Sequence, residues 1–127
     1  MIKVVLSVGE LIDKITILQL KMKFIKNKKQ LKNIKTELDT LKPLLKENNL
    51  ETPEINRHFS ELYEINLELW KIEDEIREKE RQTDFGSEFV SLARSVYFTN
   101  DKRAEIKKKL NLISGSELIE EKSYAKY

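Results

Sequence analysis

The chain has 127 residues, 39% apolar and 36% charged, and its 3 Gly and 2 Pro are too few for the turns of an all-β fold. Its length is that of one domain (residues 1–127). The absence of Cys excludes disulfides and thiolate chemistry, and the presence of only one His excludes a multi-histidine metal site. We therefore predict no metal and no cofactor. The net charge divides into +6 over residues 1–50 and −7 over 51–90; the basic part lacks Arg, which argues against nucleic acid and favours packing of basic on acidic helices.

The first predicted helix follows a short apolar lead. Alternating apolar residues over 2–6 predict a strand or an extended segment. In "SVGE" (7–10) the Ser7 hydroxyl can accept from the Glu10 amide, which is a capping box, and apolar residues then recur at helical spacing over 8–25. No apolar run reaches the roughly 18 residues of a membrane span, and the first run lacks a signal-peptide pattern. We therefore expect a cytoplasmic protein with no membrane span.

The apolar stripe changes face between the first and second predicted helices. Over residues 31–45 it restarts two residues out of phase, nearly on the opposite side of a continuous helix. "NKKQ" (27–30) reads as a second capping box, which predicts a break or tight hairpin there. A continuous, bent helix over residues 8–42 is the alternative.

Two long helices are predicted in the second half of the chain. One begins after the N-cap Thr52 and ends near Gln82, a length of roughly 45 Å at 1.5 Å per residue. The other covers residues 87–114, with Gly115 as its stop. These patterns predict an all-α fold, an antiparallel long-helix bundle or helical hairpins. They also predict a homodimer, because so long a helix exceeds a compact domain of this size.

The longest predicted helix carries a carboxylate on its apolar side. Glu73 falls on a row that should face the core, with Trp70 one turn before it and Arg77 one turn after. One interpretation is an ion pair that shields the end of a bundle. The other is a pocket between helices, in which Arg77 holds an anion and burial raises the pKa of Glu73 so that it acts as an acid or base.

The last predicted helix turns polar in its middle. Thr99 and Arg103 interrupt its apolar row, and Arg94, Tyr97 and Asp101 share a face beside that gap. One interpretation is the N-cap of a new helix at Asp101 or the residue before it, with Arg94 and Tyr97 bracing a kink. The other is a ligand site in which Arg94 holds an anionic group.

Other charged residues have simpler interpretations. Glu10, Asp13 and Lys14 lie along one polar side of the first helix, which is typical of a solvated face, although Lys14 would add a cation to a pocket. His58 is interpreted as an exposed helix residue, since no second ligand or nucleophile accompanies it.

The C-terminal segment contains two tyrosines and is too short for a core of its own. Residues 117–127 are therefore predicted to dock on the polar face of the last helix. The carboxylates of residues 120–121 are expected to meet Arg94 or Arg103.

Four blocks of the sequence form a recognisable set. They are "SVGELIDKITILQLK" (7–21), "LWKIEDEIR" (69–77), "LARSVYFTNDKRAEIKKKLN" (92–111) and "GSELIEEKSYAKY" (115–127). Together they resemble a family of small bacterial proteins known as a domain of unknown function. The resemblance implies no assigned chemistry, and it implies a link to genes for cell-surface polysaccharides.

Two functions from different classes fit these patterns. The leading interpretation is a non-enzymatic interaction or scaffold module that works with a protein partner or a second copy. The alternative is a protein or enzyme of cell-surface polysaccharide metabolism that binds a small anionic ligand in a charged pocket between helices. No catalytic residue is assigned. The candidate ligand-binding residues are Lys14, Glu73, Arg77, Arg94, Tyr97 and Asp101.

Overall fold

The computed structural model describes residues 1–127 and contains five helices. They are α1 (Val8–Phe24), α2 (Lys28–Leu41), α3 (Pro43–Glu47), α4 (Pro53–Arg81) and α5 (Ser87–Ser114). No strand is present, so the predicted all-α fold of long helices is confirmed. None of the helices has the length and apolar character that a bilayer crossing requires.

The first two helices begin at the capping residues that the sequence indicates. Ser7 accepts a hydrogen bond from the Glu10 amide at 3.2 Å, and Asn27 accepts from the Gln30 amide at 3.0 Å. α1 ends at Phe24, so the predicted break is confirmed and the continuous bent helix is wrong. The Asn27 cap explains this outcome, because it satisfies a free amide at the start of a separate helix.

The long helices also have the predicted ends. Thr52 Oγ1 accepts from the Ile55 amide at 3.2 Å at the start of α4. Gly115 ends α5 with φ of +69°, in the left-handed region that favours glycine. The short helix α3 was not predicted, and it starts at Pro43, which suits a first helical position because its missing N–H would be unpaired there anyway.

The core lies where α1 meets the other helices. α1 contacts α2, α4 and α5, while α4 and α5 form a second hairpin. Full burial of each Leu or Ile contributes about 1.5–3 kcal/mol. The main buried cluster consists of Leu11, Ile12, Ile15, Leu45, Leu50, Ile55, Leu62, Ile106 and Leu110.

Several parts of the chain lie outside this core, and two of them are prominent. The first is the distal hairpin, residues 73–98, which contains no fully buried residue. The second is the N-terminal segment, residues 1–6, which forms neither helix nor strand. Residues 2–6 were predicted as a strand or an extended segment. The strand does not form within the chain, because no other segment pairs with the backbone of these residues.

Candidate functional site

A buried polar network joins α1, α4 and α5 beside the core. Asp13 on α1 is only 1% exposed. Its carboxylate accepts from Arg103 on α5, with Oδ1 bound to Nε at 3.0 Å and Oδ2 bound to Nη2. Asn66 on α4 donates from Nδ2 to Asp13 Oδ1 and to Thr16 Oγ1, both at 2.9 Å. The buried charge is therefore paired and hydrogen-bonded, as a low-dielectric interior requires.

The position of α1 explains why an aspartate is buried there. A helix with one neighbour buries one stripe, but α1 is covered by three helices and is buried on more than one side. Asp13 and Thr16 lie on the side toward α4 and α5. The Thr16 hydroxyl also donates to the Asp13 carbonyl oxygen at 2.8 Å, so both residues have their polar atoms satisfied.

Lys107 extends the network toward the C-terminal end of the chain. Its Nζ donates to Glu10 Oε2 at 2.8 Å and to Glu120 Oε2 at 3.0 Å, and lies 3.8 Å from Asp13 Oδ2. Burial by itself would lower the pKa of Lys107, but the hydrogen bonds with these two glutamates and the negative charges of Asp13 and Glu10 together raise it. The same hydrogen bond lowers the pKa of Glu120. The bond with Asp13 likewise raises the pKa of Arg103.

Arg103 is fixed by Asp13, but not all of its guanidinium N–H groups are hydrogen-bonded. Asp13 engages its Nε and one N–H of Nη2, which leaves three of the five guanidinium N–H groups without a partner. The side chain is 29% exposed and lines two cavities, one on each side of it. Asn100, one turn before it, lines both cavities as well.

The first cavity, the α4 groove, has a volume of about 540 Å³. On its apolar wall the Trp70 ring stacks on the Phe24 ring with centroids 5.3 Å apart. Its charges balance, with two acids and two arginines. The lining residues are Ile17, Leu20, Asn66, Leu69, Trp70, Glu73, Asp74, Arg77, Asn100 and Arg103.

The second cavity, the tail cavity, lies between α5 and the tail, defined here as residues 116–127. Its volume is about 490 Å³. Two cations and one carboxylate line it, together with three tyrosines that offer ring faces and hydroxyl groups. The lining residues are Val96, Tyr97, Asn100, Asp101, Arg103, Lys122, Tyr124 and Tyr127.

The tail docks on α5, as the sequence predicts, but through different partners. The Tyr127 hydroxyl donates to Asp101 Oδ2, and this bond raises the pKa of Tyr127 to about 12. Glu120 and Glu121 pair with lysines at 107 and 108, not with Arg94 or Arg103, so that detail of the prediction is wrong. The reason is that the chain reverses at Gly115, which brings the two glutamates beside the last turns of α5.

The candidate residues on α4 lie together in the α4 groove. Glu73 Oε2 accepts from Arg77 Nη1, and the pair is one turn apart on the distal hairpin. Glu73 does not sit on a core-facing row, because the core ends before residue 73. The predicted burial of Glu73 is therefore wrong.

The candidate residues on α5 lie at the tail cavity. Tyr97 and Asp101 line it, and Arg94 donates from Nε to the Tyr97 hydroxyl at 3.4 Å from outside it. An N-cap at Asp101 is wrong, because α5 continues unbroken from Ser87 to Ser114. Lys14 is exposed and makes no hydrogen bond or ion pair, so the structure does not bring it to the other candidates.

Two side chains interpreted as exposed are buried. Asp13 was assigned to a solvated face and is the centre of the network. His58 is buried on α4, with Nδ1 3.5 Å from Glu61 Oε1 but without a hydrogen bond. The sequence signals for this network are the interrupted apolar row of α5, at Thr99 and Arg103, and the polar Asn66 on a core-facing row of α4.

Comparisons with known proteins give a family and no chemistry. No curated protein and no solved structure matches the chain. A family model described as "Family of unknown function (DUF6165)" matches residues 2–127. The resemblance to a domain of unknown function is thus confirmed, and the chain belongs to the DUF6165 family.

Proposed function

We propose that this protein is a non-enzymatic binding module that holds a small anionic molecule in the tail cavity. The observation that carries the proposal is the incomplete hydrogen bonding of the Arg103 guanidinium. Asp13 fixes the guanidinium from one side, and three N–H groups of a partly exposed side chain remain free. A guanidinium fixed in this way loses little conformational freedom when it binds a carboxylate or phosphate.

The charges of the tail cavity favour an anion. Arg103 and Lys122 supply two positive charges, and the one carboxylate, Asp101, already accepts from the Tyr127 hydroxyl. Lys122 lies 3.9 Å from Glu120 Oε1 at the surface, a pair that solvent screens. The α4 groove is less suited to an anion, because its acids and arginines are equal in number.

The surroundings of Asp13 and Glu73 support binding over proton transfer. Asp13 accepts from both Arg103 and Asn66 and is closed off from the cavities by those bonds. Glu73 is paired with Arg77 at the surface and lacks the burial that an acid–base role requires.

The cavity also indicates a ligand class. A volume of about 490 Å³ lies in the range of ordinary small-molecule sites. The tyrosine ring faces, together with the Tyr124 hydroxyl that makes no hydrogen bond within the chain, suit a hydroxylated ring on an anionic group. With the implied link to cell-surface polysaccharides, acidic sugars and sugar phosphates are the first candidates.

The test is a calorimetric titration of the protein with glucose 1-phosphate, and with glucose as the neutral counterpart. We expect only the phosphorylated sugar to bind, and Lys122→Ala to weaken that binding about tenfold. Lys109→Ala is the matched control, since it removes the same charge from an exposed α5 residue outside the cavity and should leave the affinity unchanged. Equal losses for the two variants, or equal binding of the two sugars, would refute the proposal.

We also propose that the module works as a homodimer. The chain exposes 9156 Å². A compact monomer of 15.0 kDa would expose only about 7,000 Å². The excess is larger than the roughly 800 Å² per partner that a standard interface covers. Sedimentation equilibrium tests this, and a single monomeric species at all concentrations would refute it.

A further inference from the structure

The N-terminal segment presents apolar side chains and an unused backbone to solvent. Val4 and Val5 are 74% and 80% exposed, and Ile2 is similarly uncovered. No backbone hydrogen bond involves residues 1–6. The segment is rich in β-branched residues, which favour strands, so both of its edges are open to strand pairing.

This segment leaves the bundle beside a second apolar surface. The Val8 amide donates to Ser116 Oγ at 3.3 Å, and the Gly9 amide donates to Asn111 Oδ1 at 2.6 Å. The start of α1 is thus fixed against the end of α5. Four exposed aliphatic residues follow Asn111 and Ser116 within three positions in the chain and are called the apolar end: Leu112, Ile113, Leu118 and Ile119.

The sequence of residues 2–6 is self-complementary in one antiparallel register. If Val4 of one copy lies opposite Val4 of another, then residue 2 lies opposite residue 6 and Lys3 lies opposite Val5. Because side chains alternate, residues 2, 4 and 6 of both strands then form one wholly aliphatic face. The two lysines lie on the other face and avoid each other.

We propose that residues 2–6 of two copies of this chain pair as an antiparallel β-ribbon across a twofold axis, with the aliphatic face of the ribbon covering the apolar end of each copy. The inference rests on the homodimer proposed above and assigns its interface. A two-stranded ribbon alone is marginal in water, so the apolar end supplies the surface it needs. The same patch on both copies gives the closed, isologous contact of a twofold dimer.

A single introduced cysteine tests the register. The chain has no Cys, so Val4→Cys carries the sole thiol of each copy. Directly opposite residues in an antiparallel pair have Cα atoms about 4.5–5.5 Å apart, within the range of a disulfide. We expect mild oxidation to convert most of this variant to a covalent dimer on a non-reducing gel.

Val5→Cys is the matched control. In the proposed register the two copies of residue 5 are offset by two residues, about 7 Å along the ribbon in addition to the strand spacing, which is too far for a disulfide. We therefore expect little cross-linking. Equal cross-linking of the two variants, or none of Val4→Cys in a chain that sediments as a dimer, would overturn the ribbon and leave the homodimer standing.

A charge substitution tests the buried face. Val4→Glu places two carboxylates, one from each strand, opposite each other within the aliphatic face. This change should weaken dimerisation about 100-fold or more. Val5→Glu places the same charge opposite Lys3 of the other copy, which should keep or tighten the dimer. Neither residue is buried in the single chain, so both variants should fold. A dimer that survives Val4→Glu, or a wild-type chain that is monomeric, would refute the proposal.

Discussion

Two carboxylate–arginine pairs in this molecule have the same chemistry and opposite surroundings. Asp13 and Arg103 are 90 residues apart in the chain, and the aspartate side chain is 1% exposed. Glu73 and Arg77 are one helical turn apart, with side chains 46% and 64% exposed. The first pair ties α1 to α5 beside the core, whereas the second lies on the distal hairpin. Burial and connectivity, more than residue type, decide which pair matters for the fold.

The largest expected effect is from breaking the buried pair. Asp13→Ala leaves a half-buried guanidinium without its paired carboxylate and removes one of the two acceptors of Asn66 Nδ2, so the free energy of unfolding should fall by about 3–5 kcal/mol. Urea denaturation followed by circular dichroism measures it. Asp74→Ala, an exposed aspartate on α4, is the control and should change stability by less than about 0.5 kcal/mol. A loss below about 1 kcal/mol for Asp13→Ala would contradict the comparison.

The two pairs also show what the sequence could predict. The helix ends follow from local chemistry, because Ser7, Asn27, Thr52 and Gly115 act on amides or torsions within a few residues. Asp13 could not be placed from periodicity, since its burial depends on α4 and α5 arriving from distant parts of the chain. Periodicity shows how many faces of a helix are apolar, not how many neighbours cover it.

Glu73 illustrates the converse error. Its row continues the apolar side of α4, so the pattern indicated burial, but α4 extends beyond the core before that row ends. The candidate site could therefore be located only in part. Arg103, at its centre, shows in the sequence only as an interruption in an apolar row, because its partner Asp13 lies on α1, 90 residues away.

The next effect tests the packing of α1 on α5 beside the network. An added Cβ at Gly9 would lie 2.5 Å from the Lys107 carbonyl oxygen and 3.0 Å from Asn111 Oδ1. Gly→Ala within a helix usually stabilises by up to about 1 kcal/mol, but here the contact reverses the sign. Gly9→Ala should cost about 1–3 kcal/mol in chemical denaturation.

Gly86→Ala is the matched control for this substitution. Its Cβ would meet only the Asp84 carboxylate at 3.4 Å, an ordinary contact, and its φ of −76° suits any residue. The change should stay below about 1 kcal/mol, most of it from the poorer N-cap. If Gly9→Ala is as well tolerated as Gly86→Ala, the close approach of α1 to Lys107 and Asn111 is not required.

A smaller effect concerns the surface end of the network, where Glu120 joins the tail to Lys107. The folded pKa of Glu120 is lowered from 4.5 by this hydrogen bond, so its contribution is present above about pH 4.5 and is lost as pH falls through the lowered value. The tail should therefore begin to detach from α5 as the pH falls below about 4.5, which the NMR chemical shifts of residues 117–127 would follow. Glu120→Gln should remove this acid step, and Glu117→Gln, an exposed residue without an ion pair, should keep it. Chemical shifts that stay unchanged at low pH would show that the contact of Tyr127 with Asp101 holds the tail without Glu120.

The smallest expected effect is from the exposed pair. In a double-mutant cycle of Glu73→Ala and Arg77→Ala, the coupling energy should be only about 0.2–0.5 kcal/mol, because solvent screens both groups and the side chains lose freedom when they pair. Salt at about 1 M should reduce it further, since the screening length then falls to about 3 Å. A coupling above about 1 kcal/mol that resists salt would mean that the distal hairpin is covered in the assembled protein. In that case the dimer would bury α4 as well as the N-terminal segment, and the contrast with Asp13 and Arg103 would hold only for the single chain.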